Sequence, residues 1–548
     1  MKKIKLIISI LLLALSVSLL AQEPKMQLAN YESPNGRKIR AAVDYNMYSG
    51  DNESEFYVIE SGRLGYDIAV FDAESMARKS SFAIEEPEEG NRQPRWVRFF
   101  FHSEKITMVY AIFDKRADKF TVYGKIMDQS GTIELESTIL MEIKAERKKD
   151  IGSISFRLSE DNTKILLFRE PRGKRFDKEK MELALFDYNL NQLFDRKMSF
   201  PYKYQSIVVE DIDVANNGKV IIVTQYSEPE KRGSRRSRGP VNEMVNKIFT
   251  MSDGNDELLE IEIEQKGYAF SSLNGYVLND QGKMMFTGFY RDAKSVRRRS
   301  DSHKGANGIY YITLDLAADT IEKRVYDKLD KESMAKILGA NTTEKRGKKS
   351  VDKGYGLRSF DIKNVFYSDS GEIMITLEKS YVIENCRTDQ NGITTCTYTY
   401  YDMELVEIIL NGEGKIVSTQ VIPKKQISRT SRYHSVITLE DNGKVYYVYN
   451  DTEKNVSPKK TRPGDDAGFQ YTYSSSTRLF GNNKKRLVAV TVGEDGSLKK
   501  EPLTPSFKQN VTIFPKSDNA RLENNTWIVW GYDVRAKKIT LVKLYLEE

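Results

Sequence analysis

Few residues in this chain could carry catalysis or hold a metal. Its 548 residues include three histidines (His102, His303 and His434) and two cysteines, Cys386 and Cys396. His-rich metal centres, Cys-rich zinc modules and multi-disulfide scaffolds all need more ligands than that. His434 follows Arg432 and Tyr433, a trio of the kind that glycan-cleaving enzymes gather with carboxylates around a reacting sugar. A buried structural histidine is the competing reading, and the sequence favours it. Asp211 and Asp213 alternate on a strand-like segment and could share a Ca²⁺, but two ligands fall short of the roughly six to eight that Ca²⁺ takes. No G-x-S-x-G elbow is present. Ser368-Asp369-Ser370-Gly371 begins like a sialidase turn but lacks the Thr-Trp that would complete it, and three tryptophans are too few for a Trp-rich quinone-dependent propeller. On this reading the chain has no catalytic residue, metal or cofactor.

The elements that would position any site read as strands. Six segments share one pattern: a strand, a tight Asp/Asn/Gly turn, and a second strand rich in β-branched and aromatic residues. They are Arg157 to Phe168, Val214 to Tyr226, Leu278 to Tyr290, Tyr367 to Tyr381, Leu439 to Asp451 and, more loosely, Phe101 to Asp114. Asn, Asp and Gly tolerate the φ values that hairpin turns demand. Each copy is followed by a third strand, a short turn and a fourth strand, as in Met181 to Asp187 with Leu193 to Phe200, and Asp402 to Leu410 with Lys415 to Ile422. Tandem four-stranded antiparallel units predict an all-β fold, a β-propeller of seven or eight blades. The last unit offers only three strands after Asn510, so Met26 to Glu32 is expected to supply the fourth and close the ring by pairing the two chain ends.

The pattern resembles secreted propeller repeat proteins of bacteria, in particular an uncharacterised Bacteroidetes-type family. The resemblance rests on the turn-strand repeat and on the stretch from Asp402 through Ile422-Pro423-Lys424 to Tyr449-Asn450-Asp451. It implies a fold and no catalytic residues.

Export is written at the N-terminus. Lys2, Lys3 and Lys5 precede the apolar run Leu6 to Leu20, and Ala21 meets Gln22. A basic start, a greasy stretch and a small boundary residue describe a signal peptide over 1–21. The run is too short for the ~20 residues of a spanning helix. No cysteine follows it, so a lipoprotein is not expected, and residues 22–548 are expected to form one propeller domain without a transmembrane segment. The expected destination is the periplasm, the outer-membrane surface or the exterior. In such an oxidising setting Cys386 and Cys396, equidistant from Asn391 in the hairpin signal Gln390-Asn391-Gly392, are expected to form a cross-strand disulfide.

Charge supplies the functional expectation. Long connections at 169–180, 228–242, 291–306, 328–354 and 452–467 together carry a net charge of +15, against +7 for the whole chain. In a four-stranded blade, second-to-third loops and inter-blade connections emerge on one face. One face is therefore expected to be basic, with Arg235, Arg236, Arg297, Arg298, Arg299, Lys348 and Lys349 as its sharpest cations. Such a face docks anions. The runs lack the interleaved aromatics that stack on single-stranded bases, and export argues against nucleic acid. Lipopolysaccharide, an acidic glycan or an envelope protein is the expected partner of a non-enzymatic binding or scaffolding protein. A propeller hydrolase or lyase acting on an acidic polysaccharide is the alternative.

Overall fold

A computed structural model describes the chain from Glu23 to Glu547, apart from residues 32–44, 50–53, 88–93, 228–243, 253–257, 264–267, 293–304, 457–484, 504–510 and several shorter turns. Eight antiparallel sheets follow one another along it, each built on a path of four strands. The fold is an eight-bladed β-propeller. Blade 1 runs from Tyr45 to Glu85, blade 2 from Trp96 to Lys144, blade 3 from Ser153 to Lys203 and blade 4 from Ile207 to Glu262. Blade 5 spans Tyr268 to Lys328, blade 6 Phe360 to Ile422, blade 7 Ile437 to Pro502 and blade 8 Val511 to Glu547. Blade 8 takes its fourth strand from the N-terminus. Glu23–Asn30 pairs antiparallel with Lys538–Glu547, Met26 lying opposite Leu544 and Leu28 opposite Val542. The expected partner segment, Met26 to Glu32, is thus placed a few residues too late.

The turn chemistry read from the sequence recurs in three dimensions. At Asp128, Asp187, Asp389 and Asn411 the side-chain oxygen accepts backbone N–H bonds from residues two and four positions on. Short polar side chains thereby satisfy the donors that a tight turn exposes. Gly414 closes the Asn411 turn at φ +80 and lies against the Tyr311 ring of blade 5, where a Cβ would collide. Alternation then directs packing. Eight apolar clusters each bridge two consecutive sheets, and the one holding Phe56, Phe71 and Trp530 joins the last blade to the first. Among the described residues, first strands of several neighbouring blades approach one another, as they must where they line a propeller's axis.

Two departures from expectation concern connections. Residues 328–354 are not a loop. They hold a helical hairpin, α1 (Lys331–Gly339) and α2 (Glu344–Asp352). Asp330 caps α1 by accepting from Glu332 and Ser333, and Thr343 caps α2 by accepting from Arg346. Met334 and Ile337 of α1 are buried in the cluster between blades 5 and 6. That capped, apolar spacing is legible in the sequence, but the cations around it obscured it. Arg169, counted with the basic loop 169–180, is also misplaced. It is buried, bonded to the Ile151 carbonyl at 2.6 Å and paired with Glu182 at 2.9 Å.

Candidate functional site

The densest chemistry lies where blade 6 hands the chain to blade 7. After its fourth strand (Ile416–Ile422) the chain turns back, and Gln426–Ser428 pairs with the third strand (Thr394–Leu410), setting Gln426 opposite Asp402 and Ser428 opposite Tyr400. The connector then reaches the first strand of blade 7 through Ser431 to Val436. This return brings polar side chains from four segments into an apolar surround.

Two buried carboxylates organise them. Glu378 ends the buried run of the second strand (Ile373–Thr388) and is fully enclosed. Its Oε1 stands 2.6 Å from the buried Lys424 ammonium, and its Oε2 lies 3.1 Å from Lys363 and accepts the Ser435 hydroxyl at 2.6 Å. Oε1 lacks good hydrogen-bond alignment toward Lys424, so that contact is chiefly coulombic. Burial alone would raise the Glu378 carboxyl. Lys424 and Lys363 outweigh it and hold the group below its ordinary range. Asp402 Oδ1 accepts from Lys516 and from Ser380 Oγ, both at 2.8 Å, and Oδ2 faces His434 Nδ1 at 2.9 Å. Burial opposes its charge too, but the His434 and Lys516 bonds hold it far down.

His434 is wholly buried, and burial lowers its pKa against the opposing bond to Asp402. A neutral ring donates Nδ1–H to Asp402 and turns the Nε2 lone pair to Ser428 Oγ, 2.9 Å away. Ser428, His434 and Asp402 thus stand in the order of a hydrolytic triad. Yet the Ser428 hydroxyl has one proton and a second acceptor, the Thr430 carbonyl at 2.5 Å. The serine and His434 are both buried. The arrangement clasps the connector. It also holds Ser435 at φ +83, its N–H on Gln426 and its hydroxyl on Glu378.

Next to the clasp a cavity of about 420 Å³ opens between blades 6, 7 and 8. Lys363 and Asn364 come from the first strand of blade 6, Ile437 and Thr438 from that of blade 7, and Pro515, Lys516, Ser517, Asn519 and Arg521 from the first segment of blade 8, with Trp527 behind. First-strand residues of three consecutive blades place this cavity on the axis. Its described lining holds three cations (Lys363, Lys516 and Arg521) and no carboxylate.

The residues singled out from the sequence fall into three groups. Arg235, Arg236, Arg297, Arg298 and Arg299 lie outside the described residues. Lys348 and Lys349 are exposed on α2, Lys348 beside Glu344 at 2.6 Å. Cys386 and Cys396 face each other in register and are bonded. They clamp a ribbon that continues blade 6 beyond its sheet and exposes Val382, Ile383, Ile393 and Tyr398. Glu384 lies beside that disulfide, but sulfurs already bonded to each other are poor metal ligands. Asp211 and Asp213 have separate partners. Asp211 pairs with Arg157 at 2.8 Å, and Asp213 accepts the Val214 N–H while burial lifts its carboxyl to about 6. Arg432 lies over the Phe514 ring, and Tyr433 packs against the same ring. Sequence reasoning missed Glu378, Lys424, Ser428, Lys363, Lys516 and Arg521. The available signal was a charge at a core-phase position: Glu378 ends an otherwise apolar run, and Lys424 follows Ile422-Pro423.

No protein-family model and no curated protein matches the chain. Among solved structures it is similar to the WD40 domain of SCAP from fission yeast, at 9% identity over 94% of this chain and 98% of that one, with a TM-score of 0.37. It is also similar to the Dos1 propeller (11% identity, 94% and 95% covered, TM-score 0.39). A DUF4221 protein of Bacteroides vulgatus matches at 9% identity over 87% of this chain and 99% of that one, with a TM-score of 0.28. These likenesses concern the fold.

Proposed function

We propose that this propeller is an exported binding or scaffolding protein of the cell envelope that docks an anionic partner through a basic face. The observation that carries the reading is the strand order. With four antiparallel strands per blade, second-to-third connections and inter-blade connections emerge on the same side. All five basic segments are of those two kinds. In the described part of that face, α2 exposes Lys345, Arg346, Lys348 and Lys349, with Glu344 paired to Lys348. Clustered exposed cations raise the local concentration of a polyanion and speed its capture. A disulfide fits an oxidising compartment, and no helix among the described residues is long and apolar enough to cross a membrane. Lipopolysaccharide, an acidic glycan or an acidic envelope protein would present the required charge.

The alternative, an enzyme acting on an acidic polysaccharide, would draw on Ser428, His434 and Asp402. That reading needs a nucleophile which substrate can reach, and the burial of Ser428 and His434 weighs against it. Retention of the pure protein on a polyanion matrix, and its release by salt, tests the docking reading. Failure to bind at low salt would end it.

A further inference from the structure

The axial cavity has a charge distribution that the basic outer face does not explain. Four cations stand in or beside it: Lys363, Lys424, Lys516 and Arg521. Three carboxylates answer them, and each is committed. Glu378 takes Lys424 and Lys363, Asp402 takes Lys516, and Asp361 lies 3.9 Å from Lys363. Arg521 pairs with none of these three. It makes one hydrogen bond among the described residues, Nη2–H to Asn525 Oδ1 at 3.0 Å, and no ion pair there. Its guanidinium lies 5.8 Å above the Trp527 ring centre, and Trp527 is itself fixed by donating Nε1–H to the Thr438 carbonyl. A cation held on an aromatic face and tethered at one corner keeps its other N–H groups in a fixed fork. Desolvation lowers the Arg521 pKa, outweighing the more distant charges of Glu440 and Glu160, as expected for a cation with no carboxylate in ion-pair contact among the described residues.

We propose that the cavity between blades 6, 7 and 8 binds a small molecule through an oxyanion, a phosphoryl or carboxylate group, with Arg521 as the bidentate donor and Lys516 and Lys363 as flanking charges. The volume, about 420 Å³, falls within the usual range for small-molecule sites. Phosphate and carboxylate both match the guanidinium fork. The rest of the lining is neutral: Ser517 adds a hydroxyl, the Ser435 and Thr438 hydroxyls are bonded to Glu378 and Asn364, and Val436, Ile437 and Pro515 offer apolar surface. A hydroxyl-bearing body of about one sugar ring meets both kinds of wall. Lys516 ties the site to the clasp, because the ammonium that would face the ligand also holds Asp402. The site is separate from the basic outer face, and either can fail alone.

Titration calorimetry and Trp527 fluorescence on the full chain would test this, with glucose 6-phosphate, glucuronate and glucose as probes. Saturable binding of either anionic sugar, without binding of glucose, supports the site, and the better binder identifies the oxyanion. Arg521→Gln should weaken that binding at least about tenfold, the scale of a charge-assisted bidentate contact. Arg521 is exposed and has one neutral partner, so this variant should fold; an unchanged melting temperature would confirm it. Lys348→Gln with Lys349→Gln, on the outer face, should leave the affinity unchanged. The proposal is overturned if neither anionic sugar binds at up to roughly 10 mM, where even weak sites fill. It is also overturned if glucose binds as well as its acids, or if Arg521→Gln binds like wild type.

Discussion

Glu378→Gln should be one of the most destabilising single substitutions in the molecule, and the structure sets the size of the effect. The change keeps the shape of the side chain and removes one charge. Lys424, 1% exposed, then loses a carboxylate 2.6 Å away. It keeps two neutral acceptors, the Asp402 carbonyl at 3.3 Å and Gln426 Oε1 at 3.0 Å. Lys363, at 24% exposure, can turn to water. The cost is therefore that of breaking one buried pair, about 3–5 kcal/mol. Lys424→Met leaves Glu378 with Lys363 and Ser435 and should cost less, about 2–3 kcal/mol, because one cation remains. The double variant buries neither unpaired charge, so its loss should fall short of the sum by about 1–3 kcal/mol. Urea unfolding of the four proteins, followed by tryptophan fluorescence, measures this cycle. The Glu378 pKa is depressed in the fold, so its contribution is complete above the unfolded value and lost as pH falls through the folded one. The acid side of the stability profile should flatten in Glu378→Gln. A loss under about 1 kcal/mol, or strict additivity, would refute this account of the clasp.

Further predictions concern the imidazole, the disulfide and the chain ends. His434 is held neutral by burial, so the unfolded chain takes up its proton first. Wild-type stability relative to His434→Asn should fall as pH drops below about 6.5; a pH-independent difference would mean that the folded and unfolded chains take up the proton alike, contradicting the neutral ring. Asp213, raised to about 6, acts with the opposite sign. The fold gains stability as pH falls through 6, and Asp213→Asn should remove that gain in the same thermal scans. Native protein from an oxidising host should show no free thiol, and Cys386→Ser with Cys396→Ser should speed amide exchange in the 380–402 ribbon without lowering the melting temperature of the blades; two titratable thiols before reduction would contradict this. Starting the chain at Arg37 removes the strand paired with Lys538–Glu547 and bares its edge, so the truncated protein should melt lower and associate in sedimentation.

The repeat was legible because propeller blades repeat their turn chemistry: Asp, Asn and Gly recur at the hairpins, and β-branched and aromatic residues fill the strands between. The disulfide was legible for the same local reason, since a hairpin centred on Asn391 forces Cys386 opposite Cys396. Basic runs are local strings as well. The clasp and cavity are not. Glu378, Asp402, Lys424 and Lys516 are spread over more than a hundred residues, and their meeting depends on a connector that folds back to pair Gln426–Ser428 with Tyr400–Asp402. No periodicity announces such a return. The stretch that carried the family resemblance, Asp402 to Lys424 and on to Asp451, supplies several of these buried polar residues. The helical hairpin α1–α2 was hidden differently, because eight cations in 328–354 made a capped, half-buried element look like a charged loop.

The docking reading is tested most directly by salt-gradient elution from a heparin column. Three proteins are compared: wild type, a variant with Arg235, Arg236, Arg297, Arg298, Arg299, Lys348 and Lys349 replaced by Gln, and a control. The control changes Lys283, Lys415 and Lys444, beside turns on the opposite face; Lys219 would not serve, being buried against Asp319 at 2.7 Å. Attraction among exposed charges is screened as the Debye length shrinks to about 8 Å near physiological salt. Wild type should therefore be retained at low salt and released as salt rises, the control should elute close to wild type, and the seven-site variant should pass through with an unchanged melting temperature. A wild type that fails to bind, or two variants that shift equally, would contradict the basic docking face.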